Sequence, residues 1–175
     1  MKDHHTALIN ILTYTGDNLD QLKAFVREIK VKLSLRKISS IYLVEQSREE
    51  PLTVHDIRSV ENYAGLCVSI LGETKLSSLE LVNFLREVEK KESKRESKEV
   101  TIRLLAYENI TKMTPELTLP HPDLHAHPEL LIPSAEVWGS YLHPVLKRNL
   151  SDITSELSNE YWGSFFAQGS QLQLK

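Results

Sequence analysis

The residues best suited to chemistry lie in one unusual stretch, residues 117–136, which reads LTLPHPDLHAHPELLIPSAE. Its prolines, at positions 120, 122, 128 and 133, interrupt helices and remove N–H donors from strands, so an ordered loop or edge segment is predicted. Rigid loops that present polar side chains often carry ligand sites. In an extended loop, alternate residues would project to one side, and these are His121, Asp123, His125 and His127. Their nitrogen and oxygen atoms suit Zn²⁺, so a metal cluster is one interpretation.

The composition limits the class of protein. The 175 residues are about one domain's worth, so a single domain spanning residues 1–175 is predicted. A net charge of −3 and a pI near 6.2 provide no basic surface for nucleic acid. Cys67 is the only cysteine, and the N-terminal apolar run is too short for a signal peptide. No run approaches the roughly 20 apolar residues that span a bilayer, so a reduced, cytoplasmic setting is expected.

The hydrophobic pattern predicts the elements that must position this loop. Strands are predicted at residues 7–12, 40–44, 63–71 and 100–107. One helix follows the first strand, with apolar residues at helical spacing between Leu19 and Leu33. A second helix starts at a capping box formed by Ser77 and Glu80. The order β-α-β-β-α-β is typical of an α+β, ferredoxin-like fold, with an antiparallel sheet, helices on one face and the other face free for a ligand.

Three local patterns add detail to this prediction. Gly65, inside the third strand, indicates a bulge or a close approach of another backbone. The charged run at residues 90–99 is predicted to be a solvated helix end or a mobile loop. Aromatic residues near the C-terminus indicate either a docked terminus or an oligomer contact, and these are Tyr161, Trp162, Phe165 and Phe166.

The fourth strand alternates between two faces. The apolar face comprises Val100, Ile102, Leu104 and Ala106, and the other face comprises Glu99, Thr101, Arg103 and Leu105. A guanidinium on the polar face could meet a phosphate or carboxylate directly. The alternative is a salt bridge between Arg103 and Glu99 on the same face.

The stretch from residue 117 to residue 146 resembles the signature of the hydroxymethyl-dihydropterin pyrophosphokinase family. That family typically has a Pro-His-Pro segment, a Leu-His pair, an arginine before an apolar run, Pro-Leu-x-Glu and a later His-Pro. The resemblance extends to TIRLLAY at 101–107, where the family has an Asp-x-Asp strand, to SSIY at 39–42 and to TGDNLDQL at 15–22. It covers roughly residues 6–155, leaves 156–175 as a C-terminal extension, and implies the same ferredoxin-like architecture.

The resemblance implies transfer of the terminal diphosphate of ATP to the hydroxymethyl group of a dihydropterin, a step in folate biosynthesis, with two Mg²⁺ ions held by the paired aspartates. Thr101 and Arg103 occupy those positions here. The substitution changes the local formal charge from −2 to +1, and arginine has no lone pair for a metal. We therefore expect that no Mg²⁺ cofactor is retained. Metal ions supply several kcal/mol of transition-state stabilisation, and about 4 kcal/mol corresponds to roughly a thousandfold in rate, so impaired transfer is expected.

Other family positions are also substituted. The resemblance places pterin binding at Leu12, Cys67 and Glu129, where the family has different residues. It places nucleotide contacts at His121, His127, Arg95 and Lys98, of which only His121 matches the family. The alternatives are a loop histidine bonded to backbone for His121 and solvated charges for Arg95 and Lys98. Cys67, in a buried strand, is predicted to be a small core residue rather than a nucleophile.

Two functions of different class follow. One is a divergent diphosphokinase that acts on another substrate or recruits other carboxylates, with Glu99, Glu108, Asp123 and Glu129 as candidates. The other is a non-catalytic relative that binds a nucleotide, a small ligand or a protein partner. The loss of the paired aspartates favours the non-catalytic relative. The signature supports descent from the diphosphokinases but not their catalytic activity.

Overall fold

The computed structural model describes residues 4–13, 19–45, 64–96, 100–157 and 162–173. The strands of the main sheet are β1 (His5–Thr13), β2 (Ser34–Ile38), β3 (Ile41–Glu45), β4 (Ala64–Thr74), β5 (Val100–Tyr107) and β10 (Ser164–Ala167). In the described residues, these six strands form one antiparallel sheet in the order β10-β3-β4-β1-β5, and β2 pairs with β4 beside β3. Short ladders join β6 (Lys112–Met113) to β7 (Thr118–Leu119) and β8 (Leu142–His143) to β9 (Arg148–Asn149).

Two helices cover one face of the sheet, as predicted. Helix α1 (Leu19–Ile29) buries one apolar stripe, and α2 (Ser78–Glu96) packs beside it over the same core. The predicted capping box is present, because Ser77 N–H donates to Glu80 Oε2 at 2.8 Å and Glu80 N–H donates to Ser77 Oγ at 3.4 Å. The strand and helix order confirms the ferredoxin-like prediction. Residues 90–96 of the charged run continue α2, and residues 97–99 lie outside the described part.

The opposite face of the sheet is not free. Helices α3 (Pro128–Trp138) and α4 (Leu150–Ser155) pack there over a second core that includes Leu8, Leu105 and the fully buried Tyr141. The expectation of an open face is therefore wrong for the half around Leu8 and Leu105. The other half, towards Leu12 and Thr101, carries the predicted site residues.

The proline-rich segment is only partly a loop. Residues 118–127 form β7 and a run of turns, as predicted, but residues 128–138 form α3 with Pro133 inside it. The prediction of a non-helical segment is wrong there. Pro128 is tolerated in the first turn, where no helical donor is needed. Pro133 removes the donor for the Glu129 carbonyl, and donors from the sheet replace it, as described below.

Several strand details depend on tertiary contacts. A Cβ on Gly65 would lie 1.8 Å from the carbonyl oxygen of Thr13, which confirms the close backbone approach. A bulge opposite Leu8 shifts the β1–β5 register, so Ala106 packs in the second core rather than with Ile102 as predicted. Strand β2 was not predicted. No helix in the described part of the chain is both long and apolar enough to cross a bilayer.

The C-terminal extension docks onto the sheet. Strand β10 pairs with β3, and the Trp162 ring lies 4.9 Å from the Tyr42 ring. This confirms docking for Trp162, whereas Phe165 is 57% exposed and Tyr161 lies outside the described residues. Trp162 also packs on a small buried cluster of Leu12, Val44 and Cys67.

Candidate anion-binding site

A cavity of about 330 Å³ lies beside the outer edge of β5, between α2 and residues 114–122. Its polar lining includes Arg86, Glu89, Arg103, Glu116 and His121. Two of these groups are engaged with backbone, because Glu89 Oε2 accepts from Ile102 N–H at 2.8 Å and Arg86 donates to the Glu116 carbonyl at 2.8 Å. Arg103 and His121 are the predicted site residues that the fold brings together in this cavity.

Arg103 is held at this position by the register of β5. It pairs with Asn10 of β1, while Thr101 pairs with Leu12, so the two side chains project from the same face of the strand. Among the residues that the structure describes, the half-buried Arg103 guanidinium has no hydrogen-bond or ion-pair partner. Glu99, its predicted salt-bridge partner, lies outside that part of the chain. Within the described ranges, the site thus presents a guanidinium that no carboxylate pairs with, in the lining of a cavity.

His121 lies beside Arg103 as a neutral donor. Its backbone N–H bonds to the Leu105 carbonyl at 2.8 Å, which fixes the residue against β5. Its Nδ1 accepts from Asp123 N–H at 3.2 Å, so the proton of the neutral ring is assigned to Nε2. Burial lowers the pKa of His121; Asp123 opposes this shift, and Arg103 and His127 add to it. The predicted bond to backbone is present, and it leaves Nε2–H as the donor.

The remaining polar residues of the loop do not form the predicted metal cluster. His127 lies 3.9 Å from Asp123 and 3.5 Å from Glu129, whereas the His125 ring contacts the His143 ring edge-on at a centroid distance of 5.3 Å. The interpretation required an extended loop and is wrong, because residues 122–126 form turns. Within the described ranges, no group of three or more His, Cys, Asp or Glu side chains could hold a metal ion.

A buried polar seam joins the sheet to α3. The Cys67 thiol donates to the Glu129 carbonyl at 2.8 Å, and Asn10 Nδ2 reaches the same oxygen at 3.3 Å. Asn10 also donates to Ser69 Oγ at 3.1 Å, and Ser69 bonds to Ser134 of α3 at 3.0 Å. Burial raises the pKa of the Cys67 thiol to about 12, which agrees with a core role rather than that of a nucleophile.

Several predicted residues lie elsewhere. Lys98 is outside the described residues, and Arg95 lies at the end of α2 with a side chain that is not described. Glu108 is wrong as a recruited carboxylate, because it accepts from Thr6 N–H at 2.8 Å, at the opposite end of β1 from the site. Sequence reasoning missed Asn10, although a single amide inside the apolar run ALINIL marks a buried polar contact.

A larger groove of about 800 Å³ lies at the other end of the sheet. It is lined by the end of α1, the start of β2 and the end of β4, with Lys30, Lys32 and Lys75 at its rim. None of the predicted site residues lies in it.

Two histidines with lowered pKa values predict how stability depends on pH. His143 is 3% exposed, its Nδ1 accepts from Leu146 N–H at 3.2 Å, and burial and then His125 lower its pKa. Because the unfolded state, with a histidine pKa of about 6.5, binds the proton more tightly than the folded state, protonation favours unfolding. The full stability is present above about pH 6.5 and is lost as the pH falls through the folded-state pKa. His121 acts in the same direction. We expect the free energy of unfolding to fall below pH 6.5, by up to ~1.4 kcal/mol per pH unit for each histidine.

Chemical denaturation between pH 8 and pH 5 measures this dependence. His143→Asn keeps an acceptor for Leu146 N–H but does not titrate, so it should flatten the pH profile. His125→Asn, at the exposed ring partner, is the control and should flatten it much less. If His143→Asn leaves the pH profile unchanged, His143 does not contribute to the pH dependence of the free energy of unfolding.

The fold and the site define an α+β, ferredoxin-like protein with a cavity beside β5 that Arg103 and His121 line. The family model for 7,8-dihydro-6-hydroxymethylpterin-pyrophosphokinase matches residues 9–139, and the chain belongs to this family. A 2-amino-4-hydroxy-6-hydroxymethyldihydropteridine pyrophosphokinase from Aquifex aeolicus is 23% identical over 157 residues, which cover 86% of this chain and 91% of that protein. The resemblance seen in the sequence is confirmed.

Solved structures show the same fold. Plasmodium falciparum HPPK-DHPS, wild type with pterin and p-hydroxybenzoate, matches with a TM-score of 0.64 at 13% identity, covering 87% of this chain and 42% of that chain. The wild type with pteroate matches with a TM-score of 0.61 at 12% identity and the same coverage. This chain therefore spans less than half the length of those Plasmodium chains.

Proposed function

We propose that this protein is a divergent family member that binds the phosphates of a nucleotide directly, through Arg103 and His121, without a divalent metal and without efficient diphosphate transfer. The observation that carries this proposal is the half-buried Arg103 guanidinium, which has no counter-ion in the described residues and lines a cavity together with His121. A partly desolvated cation of this kind favours an anionic ligand with planar, paired oxygens, such as a phosphate.

The residues at the family's metal positions do not fit Mg²⁺. Magnesium takes oxygen ligands and is usually held by carboxylates, whereas this face of β5 presents the Thr101 hydroxyl and the Arg103 guanidinium. A guanidinium offers only donors and would repel the ion. Of the carboxylates that the sequence offers for recruitment, Asp123 lies 3.9 Å from His127 and 4.0 Å from His121, and Glu129 lies 3.5 Å from His127.

The cavity has room and walls for the rest of such a ligand. Its volume of about 330 Å³ is at the lower end of the range for small-molecule pockets. Val82, Leu104 and Leu117 provide apolar lining next to the basic end. An apolar ring system could therefore lie against these side chains while its phosphates extend to Arg103 and His121.

Removal of the Arg103 charge tests the proposal. In EDTA, Arg103→Ala is expected to weaken ATP binding by about tenfold to a hundredfold, because a hydrogen bond to a charged group contributes about 1.5–3 kcal/mol. Isothermal titration calorimetry gives the dissociation constants.

Arg148→Ala is the matched control, because Arg148 is an exposed arginine paired with Glu156 at 2.7 Å, away from the cavity lining. It should bind ATP within about twofold of the wild type. Equal affinity for ATP in Arg103→Ala and Arg148→Ala would refute direct phosphate binding by Arg103.

A further inference from the structure

Pro133 leaves one carbonyl of α3 without its helical donor. In a regular α-helix the carbonyl of residue 129 accepts from the N–H of residue 133, and proline has no N–H. The Cys67 thiol and the Asn10 amide supply the missing donors, at 2.8 Å and 3.3 Å. Both residues are fully buried, where an unpaired carbonyl would be costly. The sheet therefore satisfies the first turn of α3 with side chains 62 and 119 positions earlier in the chain.

A second contact strengthens this attachment. Asn10 Nδ2 also donates to Ser69, and Ser69 bonds to Ser134 one turn further along α3. Asn10, Ser69 and Ser134 are all fully buried, so these bonds form away from water. Asn10 thus donates both to the helix carbonyl and to the serine pair.

The attached turn leads directly to the candidate site. His127, the N-cap residue of α3, lies 3.5 Å from the Glu129 carboxylate and 3.9 Å from the Asp123 carboxylate. The Asp123 N–H in turn donates to Nδ1 of His121. The His121 backbone anchors the other end of the loop to Leu105. The loop is therefore held on the sheet at two points. The first is the bond from His121 to Leu105, and the second is the pair of bonds from Asn10 and Cys67 to the Glu129 carbonyl.

We propose that Asn10 and Cys67 are positioning residues. By satisfying the Glu129 carbonyl that Pro133 leaves without a donor, they hold the first turn of α3 in place. Through His127 and Asp123, this turn orients the His121 ring beside Arg103. The expected effect on ATP affinity rests on the proposed function, whereas the attachment of α3 to the sheet by Asn10 and Cys67 does not.

The single thiol reports on the attachment without any ligand. Because Cys67 is buried and bonded to the Glu129 carbonyl, its reaction with an aromatic disulfide reagent requires the first turn of α3 to open. Asn10→Ala is expected to raise the reaction rate about tenfold or more, since one lost hydrogen bond of ~1.4 kcal/mol corresponds to tenfold. Adding Pro133→Ala gives the Glu129 carbonyl a donor from within the helix, so in that background Asn10→Ala should raise the rate by less than about threefold. An unchanged rate in Asn10→Ala, or an equal effect of Asn10→Ala in both backgrounds, would overturn the inference.

ATP affinity in EDTA provides the second readout. Asn10→Ala and Cys67→Ala should each weaken ATP binding several-fold, whereas Cys67→Ser keeps a donor and should remain within about twofold of the wild type. If Cys67→Ser and Cys67→Ala bind equally, cavity formation rather than the hydrogen bond is responsible, and the positioning role fails. If the wild type binds no ATP, the proposed function fails, while the thiol rates still decide whether the attachment exists.

Discussion

Replacement of Thr101 and Arg103 together by aspartate is expected to make ATP binding depend on Mg²⁺. The two positions lie two residues apart on β5, opposite Leu12 and Asn10 of β1, so both carboxylates would project from the same face of the strand, and position 103 lines the cavity. The local formal charge changes from +1 to −2, which removes the phosphate contact and adds repulsion. We expect metal-free ATP binding to weaken by more than about a hundredfold, with binding recovered when Mg²⁺ bridges the carboxylates and the phosphates.

Calorimetric titration of the double variant in EDTA and in Mg²⁺ measures both effects. A variant with asparagine at both positions is the matched control, because it removes the positive charge without adding carboxylates. It should lose metal-free binding and gain no response to Mg²⁺. If the aspartate variant binds ATP in EDTA as tightly as the wild type, the phosphates do not contact Arg103.

Diphosphate transfer by the wild type is expected to be at least about a thousandfold slower than in the Aquifex aeolicus relative. In the reaction, the terminal diphosphate of ATP moves to the hydroxymethyl oxygen of a dihydropterin and AMP is released. Metal ions in such reactions neutralise the developing charge, and a loss of about 4 kcal/mol corresponds to a thousandfold. The proposed function implies that this neutralisation is lost, because the Arg103 guanidinium has no lone pair for a metal.

AMP release in the presence of ATP, Mg²⁺ and 6-hydroxymethyl-7,8-dihydropterin measures this rate, with the Aquifex aeolicus relative assayed in parallel. A rate within about tenfold of that relative would contradict the proposed loss of transfer. Asp123→Asn and Glu129→Gln would then show whether either carboxylate has been recruited.

The elements whose signals are local could be predicted from the sequence. The stripe of α1 and the capping box of α2 depend on spacings of three and four residues, and both are confirmed. Strand alternation placed Thr101 and Arg103 on the site face, and the register with Asn10 and Leu12 agrees. His121, which the family signature singled out as a nucleotide contact, lines the same cavity as Arg103, because its proline-rich loop follows β5 closely in the chain.

Elements that depend on distant partners could not be predicted. Pro133 argued against a helix, and local rules alone support that conclusion. The helix packs on the second core, and Asn10 and Cys67 donate to the carbonyl that Pro133 leaves without its helical donor. No local pattern reveals bonds across 62 and 119 residues. Ala106 changes face because of a bulge in the pairing with β1, which the alternation of β5 does not encode.

The most direct test of metal-free phosphate binding is calorimetric titration of the wild-type protein with ATP, first in EDTA and then in Mg²⁺. Direct contact with Arg103 predicts that ATP binds in EDTA at least as tightly as in Mg²⁺, because the ion reduces the negative charge that the guanidinium attracts. Binding that appears only when Mg²⁺ is present would contradict the account.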